Sequence, residues 1–256
     1  MGDASGEPLQ RRVGMEGGRA SRLWGGPAEK KSKQKRTRTG AAQRPSTDTR
    51  SLTNPGWHIR YLFPPSEEKL MLITPFLRRS ACTRVISICE EHGGWSNDER
   101  SAYPFATSDL EVDRVPALRE YLLKHRFMDD LQHLYQLAHG RRITAFDDMF
   151  VVRYQALGQT QLPRHTDAGD TSFMIALSDS DHDFKGGGTF FDVLGETVEC
   201  AQGHLLTFDA KLFHQGIPIT EGRRYLLVGF CFTTPEAAAT PGNLTTRLSL
   251  IPDTST

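Results

Sequence analysis

The sequence predicts an α+β fold, mainly β, in which helices precede a strand-rich region. Apolar residues recur at helical spacing between about residues 80 and 138, whereas from Ile143 onwards short β-rich runs alternate with Gly, Asp and Pro. Many short strands behind a helical layer are typical of a double-stranded β-helix, the jelly-roll barrel. We therefore predict this barrel, with an N-terminal helical layer, for the body of the 256-residue chain.

Residues 1–55 are predicted to form a disordered basic tail, because they are rich in Gly, Arg, Lys, Ser and Thr and show no apolar periodicity. The first 50 residues hold 12 Lys/Arg and 5 Asp/Glu, whereas the rest of the chain holds 19 and 26. The run KKSKQKRTR at 30–38 is typical of a nuclear address, a nucleic-acid contact or a solvated tail, and an Arg-rich organellar presequence is a further alternative. We place the folded domain at 56–240 and a C-terminal tail at 241–256.

Cysteine usage and hydropathy favour a cytoplasmic or nuclear protein without membrane association. The four cysteines lie in apolar or helical runs without C-x-x-C spacing, so they resemble buried thiols and suit a reducing compartment. No apolar run reaches the ~18 residues that indicate a membrane span. The polar N-terminus has no apolar segment of the kind that secretory signals contain.

The individual elements are predicted in chain order. A strand is expected at 70–76, followed by a helix over 80–93 that has Ser80 as its N-cap and ends at Gly93. A loop at 103–112 precedes a second helical region at about 116–138. Strands are then expected from Ile143 to Tyr154 and near 172–178, 188–192, 196–200, 203–209, 213–218 and 224–232.

Three residues form a candidate metal site. His165 and Asp167 stand two residues apart, and on a strand or strand end this spacing places both side chains on one face. His214 supplies a third ligand. Two imidazoles and one carboxylate make the facial triad that holds non-haem Fe(II) and leaves positions for a co-substrate and O2. We expect these three residues to bind iron, and we expect no catalytic residue beyond them.

Arg224 is the candidate partner of a carboxylate. Strand alternation places it on one face with the apolar residues Leu226, Val228, Phe230 and Phe232. A guanidinium beside a buried apolar row requires an anionic partner, and no acid within the run supplies one. Binding of the distal carboxylate of 2-oxoglutarate would meet this requirement. Arg223 points to the other face of the strand.

At these residues the sequence resembles the catalytic domain of procollagen lysyl hydroxylases and the wider prolyl 4-hydroxylase class of Fe(II)/2-oxoglutarate dioxygenases. The resemblance covers about residues 75–235. The motifs that carry it are FVVRY at 150–154, His165-x-Asp167, DFKGGG at 183–188, HQGIPITEGRRY at 214–225 and YPFATSDLEV at 103–112.

The resemblance implies that His165, Asp167 and His214 hold iron, that Arg224 binds 2-oxoglutarate and that Tyr154 lies near this co-substrate. Strand parity adds Thr207 as a candidate to assist Arg224. The implied reaction hydroxylates a Pro or Lys side chain in a protein and yields succinate and CO2, with ascorbate as a further cofactor. The implied partners are O2, 2-oxoglutarate and a protein or peptide substrate.

Two alternatives stay open at this point. An oxidative demethylase of nucleic acid would suit the basic tail, although the second Arg of alkylated-base demethylases has no counterpart beyond Arg224, where Phe230 and Thr234 stand. A non-catalytic interaction module on a jelly-roll scaffold is the other alternative. The complete set of three metal-binding side chains argues against it.

Overall fold

The structure, a computed structural model, describes residues 52–53, 57–62, 71–96, 99–100 and 103–235. The basic run at 30–38 and the predicted C-terminal tail at 241–256 lie outside these ranges. None of the helices in the described ranges combines the length and the hydropathy needed to cross a membrane.

The helical layer precedes most strands of the barrel in sequence, as predicted. It consists of Arg79–His92 (α1), Pro116–Lys124 (α2) and Phe127–His139 (α3), with a short 3-10 helix at Val112–Arg114. The predicted N-cap at Ser80 is wrong, because α1 begins one residue earlier and its N-cap is Arg78. Its end at Gly93 is as predicted, with φ 65°. The single helical region predicted at 116–138 is divided where Arg126 adopts a left-handed conformation with φ 57°.

The strands pair in two main sheets and one small ribbon within the described ranges. The larger sheet contains Arg60–Tyr61 (β1), Leu72–Pro75 (β2), Asp109–Glu111 (β5), Arg141–Gln155 (β6), Thr171–Ala176 (β8), Phe184–Gly186 (β9), His204–Asp209 (β12) and Ile219–Pro235 (β14). The smaller sheet contains Leu162–His165 (β7), Thr189–Phe191 (β10), Glu196–Val198 (β11) and His214–Gly216 (β13). The ribbon pairs Glu99–Arg100 (β3) with Tyr103–Ala106 (β4).

Strand order identifies the barrel. The larger sheet runs β1-β2-β12-β8-β14-β6-β5, with β9 paired to β14, and the smaller one runs β11-β10-β13-β7. Their pairings are antiparallel and join strands distant in sequence, such as β2 with β12 and β8 with β14. This arrangement confirms the predicted jelly roll.

Successive residues along the strands of the larger sheet belong to two different apolar cores, one on each face of the sheet. In β8, Phe173 and Ile175 pack with the helices, whereas Met174 and Ala176 pack between the two sheets. This division follows from the period of two along a strand, which sends successive side chains to opposite faces. The core between the sheets is where the candidate site lies.

The short strands that escape the sequence prediction include β5, β7 and β9. β7 contains Pro163, which weakens its strand signal, and the order of the smaller sheet places it at an edge, where Pro is tolerated. β9 ends in Gly186, and β5 falls in the segment predicted as a loop at 103–112. Each has three or four residues, too few for an apolar alternation to be recognised.

Leu52 and Thr53 belong to the folded domain, so the predicted tail boundary at residue 55 is wrong at these positions. Leu52 is 5% exposed and packs in the helix-facing core. Its carbonyl oxygen accepts a hydrogen bond of 2.9 Å from the backbone N–H of Arg78. The Thr53 hydroxyl donates to Asp130 Oδ2 at 2.6 Å.

We expect Leu52→Ala to lower the free energy of unfolding by about 2 kcal/mol or more, because it removes buried methyl groups and leaves a cavity. Urea unfolding of the full chain measures this loss. Leu137→Ala is the matched control, because Leu137 is 63% exposed on α3 and should change the unfolding free energy little. Equal losses in the two variants would show that the Leu52 contact contributes nothing specific.

Candidate metal centre and co-substrate pocket

The barrel brings His165, Asp167 and His214 together. His165 ends β7, His214 begins β13, and the two are register partners in the smaller sheet. Asp167 follows in the loop after β7. His165 Nε2 lies 3.5 Å from Asp167 Oδ1, and His214 Nε2 lies 3.7 Å from Asp167 Oδ2. Within the described ranges they are the one group of three such side chains whose ligand atoms all lie within 4.8 Å of one another.

Backbone carbonyls orient both imidazoles. His165 Nδ1 lies 2.6 Å from the carbonyl oxygen of Pro163, and His214 Nδ1 lies 2.9 Å from that of Leu212. A carbonyl oxygen only accepts, so each ring carries its proton on Nδ1 and donates it there. The lone pair of each Nε2 is left facing Asp167, as metal-binding histidines require.

The metal group is buried, and burial favours the neutral, metal-binding form of His214. The three residues are 8%, 5% and 3% exposed in chain order. Burial lowers the pKa of His214, with the nearby Asp167 carboxylate opposing this shift, so the imidazole is neutral at physiological pH. The ring of His214 lies between Phe191, stacked at 5.4 Å, and Phe208, edge-on at 4.8 Å. Two imidazoles and one carboxylate fit an Fe(II) ion that keeps further coordination positions.

Arg224 is a buried cation that has no carboxylate partner among the described residues. It is 5% exposed, and among the described residues it makes no ion pair. Its guanidinium donates to the carbonyl of Gly188 at 3.0 Å and to the hydroxyl of Thr189 at 3.4 Å. Burial lowers its pKa from the usual value. A desolvated guanidinium with two neutral acceptors fits the binding of an anion such as a carboxylate.

Tyr154 lies beside Arg224. The two are register partners on β6 and β14, and the Arg224 Cζ atom lies 5.6 Å from the centroid of the tyrosine ring. Burial raises the pKa of Tyr154 to about 12, although the neighbouring Arg224 opposes this shift. The phenol therefore stays protonated and can donate a hydrogen bond to an anion bound by Arg224.

The triglycine run lets the backbone approach Arg224. Gly186, Gly187 and Gly188 all have positive φ, between 76° and 94°. A Cβ atom at Gly187 would lie 3.4 Å from Arg224 Cδ and 3.1 Å from side-chain atoms of Phe184 and Ile219. The run thus places the Gly188 carbonyl against the guanidinium.

The metal group and Tyr154 line one pocket of about 450 Å³, including its part open to solvent. Thr107 and Thr189 add two hydroxyl groups to its wall, and the remainder is mainly apolar, with Phe150, Leu162, Met174, Leu226, Val228 and Phe230. The sequence also predicts Phe232 in this row, but that prediction is wrong: Phe232 is 41% exposed, because β14 continues beyond its last pairing with β8 at Cys231.

The prediction that Thr207 assists Arg224 is wrong. The Thr207 hydroxyl lies 2.8 Å from His139 Nε2 on α3. Thr207 therefore faces the helices, while its neighbours Leu206 and Phe208 occupy the core between the sheets. Burial lowers the pKa of His139 to about 4, so this hydrogen bond joins two neutral groups. Parity correctly separates Thr207 from its neighbours, but it does not tell which face carries the site.

Thr189 occupies the position that sequence reasoning assigned to Thr207. It is 3% exposed, lines the pocket and contacts Arg224. Its only sequence signal is its place directly after the triglycine run, at the start of a predicted strand.

We expect Thr189→Val to weaken 2-oxoglutarate binding about fivefold, because a hydrogen bond worth about 1 kcal/mol is lost beside the anion. Thr207→Val is the matched control: it should leave this affinity unchanged and lower stability, because His139 loses its partner. Calorimetric titration and thermal unfolding of both variants measure the two effects. If Thr207→Val weakened 2-oxoglutarate binding and Thr189→Val did not, Thr207 would be the residue that assists Arg224.

Comparison with known proteins gives sequence relatives and a shared fold. No protein-family model matches the chain. It is 31% identical over 170 residues to the multifunctional procollagen lysine hydroxylase and glycosyltransferase of Caenorhabditis elegans. It is 30% identical over 171 residues to procollagen-lysine,2-oxoglutarate 5-dioxygenase 1 of Mus musculus. Each match covers 61% of this chain and 23% of the relative, so the chain spans about a quarter of the length of these curated relatives.

A solved structure with the same fold is the non-haem alpha-ketoglutarate-dependent carbocyclase SnoK from nogalamycin biosynthesis. The TM-score is 0.50 at 14% identity, over 70% of this chain and 87% of that one. This likeness shows that the chain shares the fold of that enzyme. In sequence the chain is similar, more specifically, to the procollagen-lysine 2-oxoglutarate 5-dioxygenases.

Proposed function

We propose that the chain is an Fe(II)/2-oxoglutarate-dependent dioxygenase that hydroxylates a Pro or Lys side chain in a protein, with succinate and CO2 as co-products. The observation that carries this proposal is the buried group of His165, Asp167 and His214. It lines one pocket together with Tyr154, whose ring contacts Arg224. The similarity to procollagen-lysine dioxygenases supports the reaction class.

Iron, when bound, couples the oxidative decarboxylation of 2-oxoglutarate to the insertion of an oxygen atom into a substrate C–H bond. The protein supplies the ligands. His165 and His214 offer Nε2 because their Nδ1 protons are donated to backbone carbonyls. Asp167 offers a carboxylate oxygen, and its own backbone is fixed by a 2.8 Å hydrogen bond from its N–H to the carbonyl of Ala210.

Arg224 binds the distal carboxylate of 2-oxoglutarate in this proposal. The guanidinium is already desolvated and held by Gly188 and Thr189, so little reorganisation accompanies binding. Tyr154 donates its phenolic proton to the same carboxylate. The apolar wall around Val228 and Phe230 excludes water from the reacting groups.

The choice of Pro or Lys rests on similarity to proteins of which this chain spans about a quarter, and ascorbate as a further cofactor rests on the resemblance alone. A cytoplasmic or nuclear location is likewise a proposal, which the presence of all four cysteines as thiols supports. The run at 30–38 lies outside the described residues, and nothing within them favours a nucleic-acid substrate.

Mass spectrometry tests the substrate class. The purified protein is incubated with Fe(II), 2-oxoglutarate and O2, in parallel with Pro- and Lys-containing peptides and with methylated oligonucleotides. We expect a gain of one oxygen on a peptide, and no gain with the Asp167→Asn variant. Loss of a methyl group from an oligonucleotide, with all peptides unmodified, would replace this proposal by the demethylase.

A further inference from the structure

Helix α1 is tied to the reverse side of the two strands that present Arg224 and Tyr154. The carboxylate of Glu90, near the C-terminal end of α1, accepts a hydrogen bond from the Tyr225 hydroxyl at 2.8 Å. The same oxygen, Oε1, accepts one from Arg153 Nη1 at 3.0 Å. These contacts join residues 135 and 63 positions apart in sequence.

The register of the strands gives these contacts their significance. Tyr225 and Arg153 are paired with each other across β14 and β6, and the next pair along the strands is Arg224 with Tyr154. Neighbouring residues on a strand point to opposite faces. The Glu90 contacts therefore hold, from the helix side, the backbone whose next residues form the proposed carboxylate site.

A second contact of Arg153 reaches the pocket wall. Its backbone N–H donates to the carbonyl of Ser108 at 2.7 Å, and its Nη2 atom lies 3.4 Å from the Ser108 hydroxyl. Ser108 follows Thr107, which lines the pocket. The guanidinium also lies 4.2 Å from the ring of Trp95, directly above it. Arg153 is thus fixed by an anion, an aromatic face and a hydroxyl, and it holds two parts of the pocket together.

Buried charge explains why such fixation is needed. Arg224 is 5% exposed and makes no ion pair among the described residues. Without a bound anion, movement of its guanidinium towards water would therefore lower the free energy of the charged group. Movement of the β14 backbone at Arg224 would require Tyr225 to shift away from Glu90. A partly buried, charge-assisted contact opposes this shift, because the Arg153 and Glu90 side chains are 14% and 34% exposed.

We propose that Glu90 is a positioning residue that preorganises the carboxylate-binding pair Arg224 and Tyr154 through Tyr225 and Arg153. This proposal rests on the proposed co-substrate role of Arg224. The metal ligands are on β7, on β13 and in the loop after β7, and none of them is on β6 or β14. Glu90 therefore acts on 2-oxoglutarate affinity and leaves metal affinity unchanged.

Calorimetry separates these effects on the intact chain loaded with Mn(II), which prevents turnover. We expect Glu90→Ala to weaken 2-oxoglutarate binding ~10-fold, as for loss of a supporting partner of a ligand-binding side chain, with an unchanged Kd for Mn(II). Glu90→Gln should recover most of the affinity, because the amide oxygen still accepts from Tyr225 and Arg153. Glu91→Ala is the matched control, since Glu91 is the neighbouring acid on α1, its side chain 63% exposed and paired with Arg84.

Tyr225→Phe provides a second variant that keeps the packing of the ring and removes only its hydroxyl. It should weaken 2-oxoglutarate binding without changing the Kd for Mn(II), even if Glu90→Ala does not fold. Unchanged 2-oxoglutarate affinity in Tyr225→Phe and in folded Glu90→Ala, or equal losses for metal and co-substrate, would overturn the proposal. Failure of the wild-type protein to bind 2-oxoglutarate would instead overturn the function on which it rests.

Discussion

Replacing Asp167 with Asn is expected to weaken Fe(II) binding by at least ~100-fold, more than the loss of a supporting residue causes. The amide keeps the size of the side chain but removes the only negative charge of the three-residue group. A neutral donor set binds a divalent ion less strongly, because no ligand compensates its charge. His165→Ala should have a comparable effect, since it removes one of the two imidazoles.

Equilibrium dialysis followed by metal analysis measures these losses. His182→Ala is the matched control, because the His182 side chain is 78% exposed and lies near Asp179, outside the metal group. Metal-free Asp167→Asn protein should be at least as stable as metal-free wild type, because burying a carboxylate costs more than burying an amide. Wild-type metal content in Asp167→Asn or in His165→Ala would contradict the assignment of these ligands.

Replacing Arg224 with Lys is expected to weaken 2-oxoglutarate binding by more than ~10-fold, because a charge-assisted hydrogen bond is worth about 1.5–3 kcal/mol. An ammonium group cannot reproduce the planar pair of donors that a guanidinium presents to a carboxylate. It would also lose the simultaneous contacts with Gly188 and Thr189. Metal affinity should change little, because Arg224 is not among the three residues of the metal group.

Arg223→Lys is the comparison variant. The Arg223 side chain is 56% exposed and faces helix α1, 3.8 Å from Glu90, where a lysine keeps the charge. Titration of 2-oxoglutarate into the Mn(II)-loaded forms of both variants measures the difference. Equal losses of affinity in Arg224→Lys and Arg223→Lys would contradict the choice of Arg224 as the carboxylate partner.

The metal group and Arg224 could be predicted from the sequence because their signals are local. His165 and Asp167 are two residues apart at a strand end, and Arg224 begins an apolar row of which Leu226, Val228 and Phe230 pack in the core between the sheets. The jelly roll was predictable for a similar reason, since many short β-rich runs follow a helical region. The separate motifs of the resemblance reinforce both predictions.

Thr189, Thr207 and Glu90 could not be assigned in this way, because their roles depend on which elements pack together. The alternation of side chains along a strand shows that Thr207 faces away from its two neighbours. It does not show which of the two faces is directed at the helices and which at the interior of the barrel. Thr189 and Arg224 are 35 positions apart in sequence, and they meet only because of how the strands pack. A local sequence pattern does not show this packing. Glu90 meets Tyr225 across 135 positions, a contact that requires the complete arrangement of α1 on the larger sheet.

Succinate formation by the purified wild-type protein tests the central claim most directly. The protein is supplied with Fe(II), 2-oxoglutarate and O2, and succinate is measured with each component omitted in turn and with Asp167→Asn in parallel. We expect succinate to form only when all three are present, and not with the variant. Equal succinate formation by Asp167→Asn and wild type, or the failure of folded wild-type protein to bind either Fe(II) or 2-oxoglutarate, would contradict the account.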